Sequence, residues 1–169
     1  MSNLLAIDPG NTESGWVVID GNSLRPVRFG KTPNDVLLGM LGDELYGFTV
    51  IEMIASYGMA VGAEVFDTCV WIGRFVERLD AATLTAQLVK RLPVKVHHCH
   101  SSKASDSNVR QALVDRFAPG AGNHGKGTKA QPGWFHGFHA DVWQAYALAV
   151  YAADTLTTPC KTNTEGSAA

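Results

Sequence analysis

The chain begins with short apolar runs separated by turn residues. Residues 4–8 ("LLAID") and 15–20 ("GWVVID") are rich in Leu, Ile and Val and flank a Pro-Gly turn, so both predict strands. Residues 24–30 predict a weaker third strand, because their proline suits a strand start or an edge. Residues 48–55 ("FTVIEMIA") predict a buried strand that Glu52 interrupts.

Helical spacing of apolar residues marks longer segments. Residues 32–47 predict a first helix, and residues 63–91 predict a long one that Pro93 ends. Residues 94–100 ("VKVHHCH") predict a fifth strand. Two further helices are predicted, one over residues 106–120, where Pro119 and Gly120 stop it, and one from 139 or 140 to 156.

This order of elements predicts an α/β domain. The short links make the first three strands antiparallel neighbours, whereas the later strands need helical crossovers. The result is a mixed five-stranded sheet flanked by helices, the order of an RNase H-like domain. We predict one RNase H-like nuclease domain over residues 1–157 and a disordered polar tail over residues 158–169.

Three carboxylates stand beside strongly apolar sequence, where a charge is costly unless it is paired or bound to a metal. Asp8 ends the first strand, Glu52 lies in the buried strand, and Asp141 opens the last helix. Adjacent parallel strands would bring Asp8 and Glu52 to one end of the sheet, and a helix packed there could add Asp141. Three oxygen ligands suit Mg²⁺ or Mn²⁺. Taken singly, these residues could also be a turn residue, an edge charge and a helix cap.

Two other chemistries compete for parts of this pattern. Residues 8–15 fit the D-x-G-x-T-x-x-G phosphate loop of actin-like ATPases and sugar kinases, but those enzymes need two such domains. Residues 97–100 ("HHCH") supply natural zinc ligands. Strand alternation would send them to opposite faces, and no CxxC or HxxxH partner appears.

Composition fits a globular protein, with 46% hydrophobic and 18% charged residues. No apolar stretch is long enough to predict a membrane span, and the N-terminus lacks the pattern of a secretory signal. Three widely spaced cysteines, Cys69, Cys99 and Cys160, suggest a reduced chain. We therefore expect a cytoplasmic location, which is the host cytoplasm if a phage encodes the protein.

The net charge of −2 conceals an uneven distribution. Residues 90–131 carry eight Lys or Arg and two Asp, so this segment could meet phosphates. Within it, Lys126 and Lys129 lie on a Gly-rich loop before the Asp141 helix and are candidate DNA contacts. The next aromatic residues, Trp134 and Phe135, could stack on unpaired bases.

Three motifs in order, "AIDPG…SGWVVID", "VIEMIASYGM…GRF" and "GFHADVWQAYALAVYA", resemble the RuvC-type Holliday junction resolvases, particularly those of bacteriophages. The resemblance spans most of the chain. It implies an RNase H-like fold, a homodimer that cuts four-way DNA junctions, and acidic residues that hold Mg²⁺. It transfers the catalytic and metal-binding roles to Asp8, Glu52 and Asp141.

The chain departs from the family pattern at two places. Many cellular resolvases have a second aspartate three residues before the final one, where this chain has Phe138. The neighbouring His136 and His139 are candidates to assist near the metals and to contact DNA, and Asp106 is a further candidate. The aromatic wedge that follows the glutamate in cellular enzymes has its nearest counterpart in Tyr57.

The sequence thus predicts a metal-dependent, structure-selective endonuclease that acts on branched DNA by Holliday junction resolution. Two metals at the scissile phosphate would activate water and stabilise the leaving 3′ oxygen. A non-catalytic branched-DNA binding module and an RNase H-type nuclease acting on RNA–DNA hybrids remain open as alternatives. The long predicted helix after residue 63 exposes enough apolar positions to supply a dimer interface.

Overall fold

A computed structural model describes residues 3–42, 46–56, 58 and 60–156. They form a five-stranded sheet with the order β3-β2-β1-β4-β5, in which β2 runs antiparallel to its neighbours β1 and β3, and β1, β4 and β5 are parallel. The strands are β1 (Leu4–Asp8), β2 (Glu13–Ile19), β3 (Pro26–Pro33), β4 (Phe48–Met53) and β5 (Ala86–Lys90). The helices are α1 (Asn34–Met40), α2 (Ala63–Ala81), α3 (Arg91–Cys99), α4 (Asp106–Phe117) and α5 (Ala140–Thr155), with a short 3₁₀ turn at Asn123–Gly125.

The predicted mixed five-stranded sheet is confirmed, but its fifth strand was predicted in the wrong place. The helix predicted over residues 63–91 ends at Ala81, and the fifth strand is Ala86–Lys90. Residues 94–100, predicted as a strand, belong to α3 and its C-cap His100. Pro93 does not end a helix; it lies in the first turn of α3, where its missing N–H has no intrahelical partner to lose.

Strand alternation divides the core between the two faces of the sheet. Leu4, Ala6 and Val50 point toward α5 and join the core formed with α3 and α4. Leu5, Ile7 and Ile51 point the other way and pack with α1 and α2. This alternation decides on which face the side chains at the strand ends emerge.

Helix α5 is apolar on nearly every side and packs directly on β1 and β2. Tyr146 at its centre is fully buried, and its hydroxyl donates to the Leu24 carbonyl at 3.0 Å while it accepts from Trp134 Nε1 at 3.0 Å. These two bonds satisfy a hydroxyl that burial would otherwise penalise. Within the described part of the chain, no helix has both the length and the apolarity needed to cross a membrane.

Helix α2 buries one side and leaves apolar side chains on the other. Ile72, Phe75 and Leu79 are buried against the sheet. Phe66 and Val70, one turn apart, are 62% and 61% exposed. The inner side of α2 is therefore part of the core, while its N-terminal half also presents an apolar surface to solvent.

Candidate active site

Asp8 and Glu52 lie side by side at the carboxyl ends of two parallel strands. The register pairs Ile7 of β1 with Ile51 of β4, so the next residues, Asp8 and Glu52, are neighbours. Each is two residues beyond a side chain that packs toward α5, and strand alternation therefore turns both carboxylates to that face. The edge of an open sheet beyond its parallel strands' carboxyl ends is a common location for ligand sites.

Asp141 reaches this edge because Gly15 has no side chain. Asp8 pairs with Gly15 across the β1–β2 ladder, and the first turn of α5 lies on Gly15. A Cβ on Gly15 would lie 2.7 Å from the Asp141 carbonyl oxygen and 2.8 Å from the Asp141 Cβ. Such distances are shorter than van der Waals contact, so only glycine lets α5 begin this close to the strand that neighbours Asp8.

The turn after Asp8 is held by buried hydrogen bonds. Ser14 Oγ donates to Asn34 Oδ1 at 2.6 Å, and Asn34 Nδ2 donates to the Gly10 carbonyl at 2.9 Å. The Gly10 N–H donates to Ser14 Oγ at 3.3 Å, although a phosphate loop would offer such an N–H to its ligand. The residues that suggested an ATPase motif therefore have a role in fixing the turn that carries Asp8.

Arg91 is part of the site and was not found from the sequence. Its Nη1 donates to Glu52 Oε2 at 3.1 Å, and its Nη2 donates to Asp106 Oδ1 at 2.7 Å and to Gln144 Oε1. Arg91 is the first residue of α3, directly after β5. The apolar pattern predicts a helix that ends at Arg91, and a residue at a helix end is not expected to stand beside Glu52 at the sheet edge.

A second cation, Lys31 of β3, also was not predicted. Its Nζ lies 2.8 Å from Asp141 Oδ2 and 3.7 Å from Glu13 Oε2. The Lys31 and Asp141 side chains are both more than a third exposed, so solvent weakens this ion pair. The hydrogen bond to Asp141 raises the pKa of Lys31 and keeps the amine charged.

The carboxylates act on one another through their charges. Burial, with the negative charges of Glu52, Asp141 and Asp106, raises the pKa of Asp8 to about 8, and Arg91 opposes this rise. Burial also raises the pKa of Glu52, again against the effect of Arg91. Electrostatic interaction with Asp8 thus connects all three predicted carboxylates and Asp106, the further candidate on α4. A raised carboxyl pKa of this kind is frequent at functional sites.

The donor set fits a hard divalent cation in its chemistry. All the groups are carboxylate oxygens, and their mutual repulsion at Asp8 is what a bound cation would relieve. In the described part of the chain, no three His, Cys, Asp or Glu side chains already stand in a metal-ligating arrangement. Glu52 and Asp141 instead contact Arg91 and Lys31, and these ion pairs are what metal binding would have to loosen.

The predicted DNA-contacting residues lie on or beside the loop that precedes α5. Lys129 is exposed within a tight loop closed by a bridge between Gly127 and Pro132. Lys126 is partly buried, and its carbonyl lies 3.2 Å from His136 Nδ1. The DNA-binding roles of Lys126, Lys129 and His136 remain predictions.

Two other predicted site residues have different surroundings. His139 is exposed and is the N-cap residue of α5, two positions before Asp141. Tyr57, the candidate wedge, lies outside the described residues, as does the predicted tail 158–169. The boundaries of the predicted domain likewise stay a prediction.

The suggestion of base stacking is wrong for Phe135, and the partly exposed Trp134 ring is already stacked on a protein ring. Phe135 is fully buried between α5 side chains, with its ring centroid 4.5 Å from that of Trp143. The Trp134 ring is stacked on Phe117 at 5.1 Å, and the Arg25 guanidinium lies 5.1 Å from its centroid. Both rings pack against protein groups, and this packing anchors the loop to α5.

The histidine-rich stretch lies at the C-terminal end of α3, where His97 and His98 contact residues of α5. His97 Nε2 lies 2.8 Å from Asp154 Oδ2, and His98 Nε2 lies 2.9 Å from the Ala147 carbonyl oxygen. Burial lowers the pKa of His98 to about 4, so this ring is neutral. The stretch joins α3 to α5, and its zinc interpretation receives no support from these contacts.

Comparisons with known proteins agree with the fold. No protein-family model matches the sequence, and no curated protein matches it either. Two solved structures of RuvC from Thermus thermophilus are similar to this chain. RuvC in complex with a Holliday junction substrate superposes with a TM-score of 0.64 at 16% identity, covering 90% of this chain and 93% of that one. A second RuvC structure gives a TM-score of 0.63 at 16% identity over 92% and 97% of the two chains. The resemblance stated above is thereby confirmed for the fold.

Proposed function

We propose that this protein is a divalent-metal-dependent endonuclease that cuts branched DNA, with the four-way Holliday junction as its preferred substrate. The observation that carries the proposal is that Asp8 and Glu52 are neighbours at the carboxyl edge of β1 and β4, with Asp141 near enough for its charge to act on Asp8. The fold of a junction-bound RuvC supports the substrate class. The turn after Asp8 argues against nucleotide hydrolysis, because its Gly10 N–H and carbonyl are hydrogen-bonded to Ser14 and Asn34.

Asp8, Glu52 and Asp141 would hold Mg²⁺ or Mn²⁺. Such ions, when bound, activate water and stabilise the leaving 3′ oxygen of a phosphodiester. Asp8 is central, because its carboxyl is the one that the other three acids act upon. Gly15 and the hydrogen bonds of the turn fix the backbone around it, so metal binding would require the Glu52 and Asp141 side chains to leave Arg91 and Lys31 while the strands stay in place.

The basic residues are proposed to bind the DNA backbone. Lys129 stands on an exposed loop that leads into α5, and Lys126 lies at the base of this loop. Their charges would contact phosphates and supply affinity without reading sequence. Selectivity for a junction would then come from its shape and deformability. His136 and His139 lie between this loop and α5 and are proposed as further DNA contacts.

We also propose that the protein works as a homodimer through α2. A four-way junction has two equivalent strands to cut, so a symmetric pair of sites suits its resolution. Phe66 and Val70 form an exposed apolar strip on α2, on the sheet face opposite the carboxylates. A second copy that packed its own strip there would remove both side chains from water.

The test is cleavage of four labelled substrates: a four-way junction, a flap, a linear duplex and an RNA–DNA hybrid. We expect symmetric nicks in the junction with Mg²⁺ or Mn²⁺ and none with the Asp8→Asn variant. Cleavage of the hybrid alone would make the protein an RNase H-type nuclease. Tight junction binding without any cleavage would indicate a binding module, and ATP hydrolysis would contradict the proposal altogether.

A further inference from the structure

Arg91 connects three elements around the carboxylate site. It bonds Glu52 of β4 at 3.1 Å and Asp106 of α4 at 2.7 Å, and it also bonds Gln144 of α5. The Arg91 and Glu52 side chains are each only 18% exposed. The Asp106 side chain is 63% exposed, so of these two ion pairs the one between Arg91 and Glu52 is the better shielded from solvent.

The guanidinium is the principal positive charge acting on the buried acids. Its field opposes the burial that disfavours ionisation of both Asp8 and Glu52. An arginine keeps its charge at every physiological pH, so this compensation is permanent. A divalent cation at the same carboxylates would supply the same compensation, and two cations close together repel each other.

We propose that Arg91 is a positioning residue that competes with the divalent cation for Glu52. This inference rests on the proposed function, since it assigns Glu52 to the metal. Without metal, Arg91 holds Glu52, Asp106 and Gln144 together across β4, α4 and α5. When a cation binds Glu52, the guanidinium gives up that carboxylate and keeps Asp106 and Gln144. Metal and arginine are therefore coupled, and each weakens the other's hold on Glu52.

The test is the Arg91→Gln variant, which removes the charge but keeps an amide donor. We expect calorimetry to give a Kd for Mn²⁺ at least about tenfold tighter than that of the wild type. In metal-free buffer the variant should melt several degrees below the wild type, because Glu52 loses its counter-charge. Saturating Mn²⁺ should narrow this gap, because the cation then compensates Glu52, but the lost bonds to Asp106 and Gln144 should leave part of it. Arg91→Lys, which retains the charge, should keep a Kd close to the wild-type value.

Arg116→Gln is the matched control. It makes the same change of net charge at an arginine that bonds Asp154 at 2.6 and 3.0 Å, near the opposite end of α5 from Asp141. This control should lower the melting temperature equally with and without Mn²⁺ and leave the metal Kd unchanged.

Three results would overturn the inference. The first is a metal Kd in Arg91→Gln that is equal to or weaker than that of the wild type. The second is a melting deficit of the same size with and without saturating Mn²⁺, or a variant that stays unfolded even with Mn²⁺, since either result indicates a purely structural arginine. The third, a wild-type protein that binds neither Mn²⁺ nor Mg²⁺, would also remove the metal from the proposed function, so it is distinguishable from the first two.

Discussion

Replacing Gly15 with alanine tests how the site is built, because it adds one methyl group between β2 and α5. The new Cβ would lie 2.7 to 2.8 Å from the backbone oxygen, the backbone carbon and the Cβ of Asp141. Carbon atoms in contact prefer about 3.5–4.0 Å, so the start of α5 must retreat by roughly 1 Å. Asp141 moves with it, away from Asp8.

The expected loss of stability in Gly15→Ala is the difference between two opposing contributions. Overpacking of this kind costs about 1–3 kcal/mol. The lower backbone entropy of alanine in a strand offsets about 0.5–1 kcal/mol of this. The net loss of stability is therefore on the order of 1 kcal/mol, which corresponds to a melting temperature lower by about 2–4 °C. Displacing a catalytic group by about 1 Å costs on the order of 100-fold in rate, so cleavage should fall far more than stability.

The assay is single-turnover cleavage of a labelled junction alongside thermal melting. Gly39→Ala is the control, because a Cβ at Gly39 meets nothing within 4 Å and the residue lies in α1, away from the carboxylates. This control should cleave at the wild-type rate and be slightly more stable. If Gly15→Ala remains folded and cleaves within about threefold of the wild-type rate, the position of Asp141 does not control the rate.

Three further predictions concern charge and assembly. Because the pKa of Asp8 is raised from 3.8 to about 8, the folded protein holds a proton that the unfolded chain releases. Metal-free wild type should therefore lose stability relative to Asp8→Asn as the pH rises from about 5 to about 8, by at most about 1.4 kcal/mol per pH unit, and a constant difference in urea unfolding would contradict this. Replacing Lys126 and Lys129 together with alanine should lower the salt slope of junction binding by roughly two units, and an unchanged slope would move the DNA path elsewhere. Phe66→Glu should shift the sedimentation of the protein from dimer to monomer, whereas a monomeric wild type at working concentration would rule out the dimer.

The sequence predicted the central strands and both late helices because their patterns are strong. β1, β4 and α5 are nearly continuous apolar runs, and each is buried in the sheet or directly upon it. The edge strand β5 gave no such signal. Its consecutive Gln87 and Leu88 side chains are both exposed, so β5 lacks the regular alternation of polar and apolar residues that identifies a strand.

The error at α3 has a related cause. The alternating "VKVHHCH" suggested a strand, yet Val94 faces the core while His97 and His98 contact α5, which is helical spacing. Once β5 was misplaced, Arg91 could not be recognised at the end of a strand. Lys31 was missed for a different reason: its contact with Asp141 depends on how β3 lies against the start of α5, and no local pattern encodes that distance.

The dependence of the site on α5 has a consequence for how the protein folds. β1 and α5 come from opposite ends of the described chain, yet α5 covers β1 and β2 and brings Asp141 to Asp8. Contacts so distant in sequence form late, because a long loop must close before they gain anything. A chain emerging from the ribosome therefore exposes the apolar face of β1 and β2 until α5 has been made. The packing of α5 completes the described fold and brings Asp141 to the other carboxylates at the same time, so a partly made chain carries an aggregation risk and lacks the assembled carboxylate cluster.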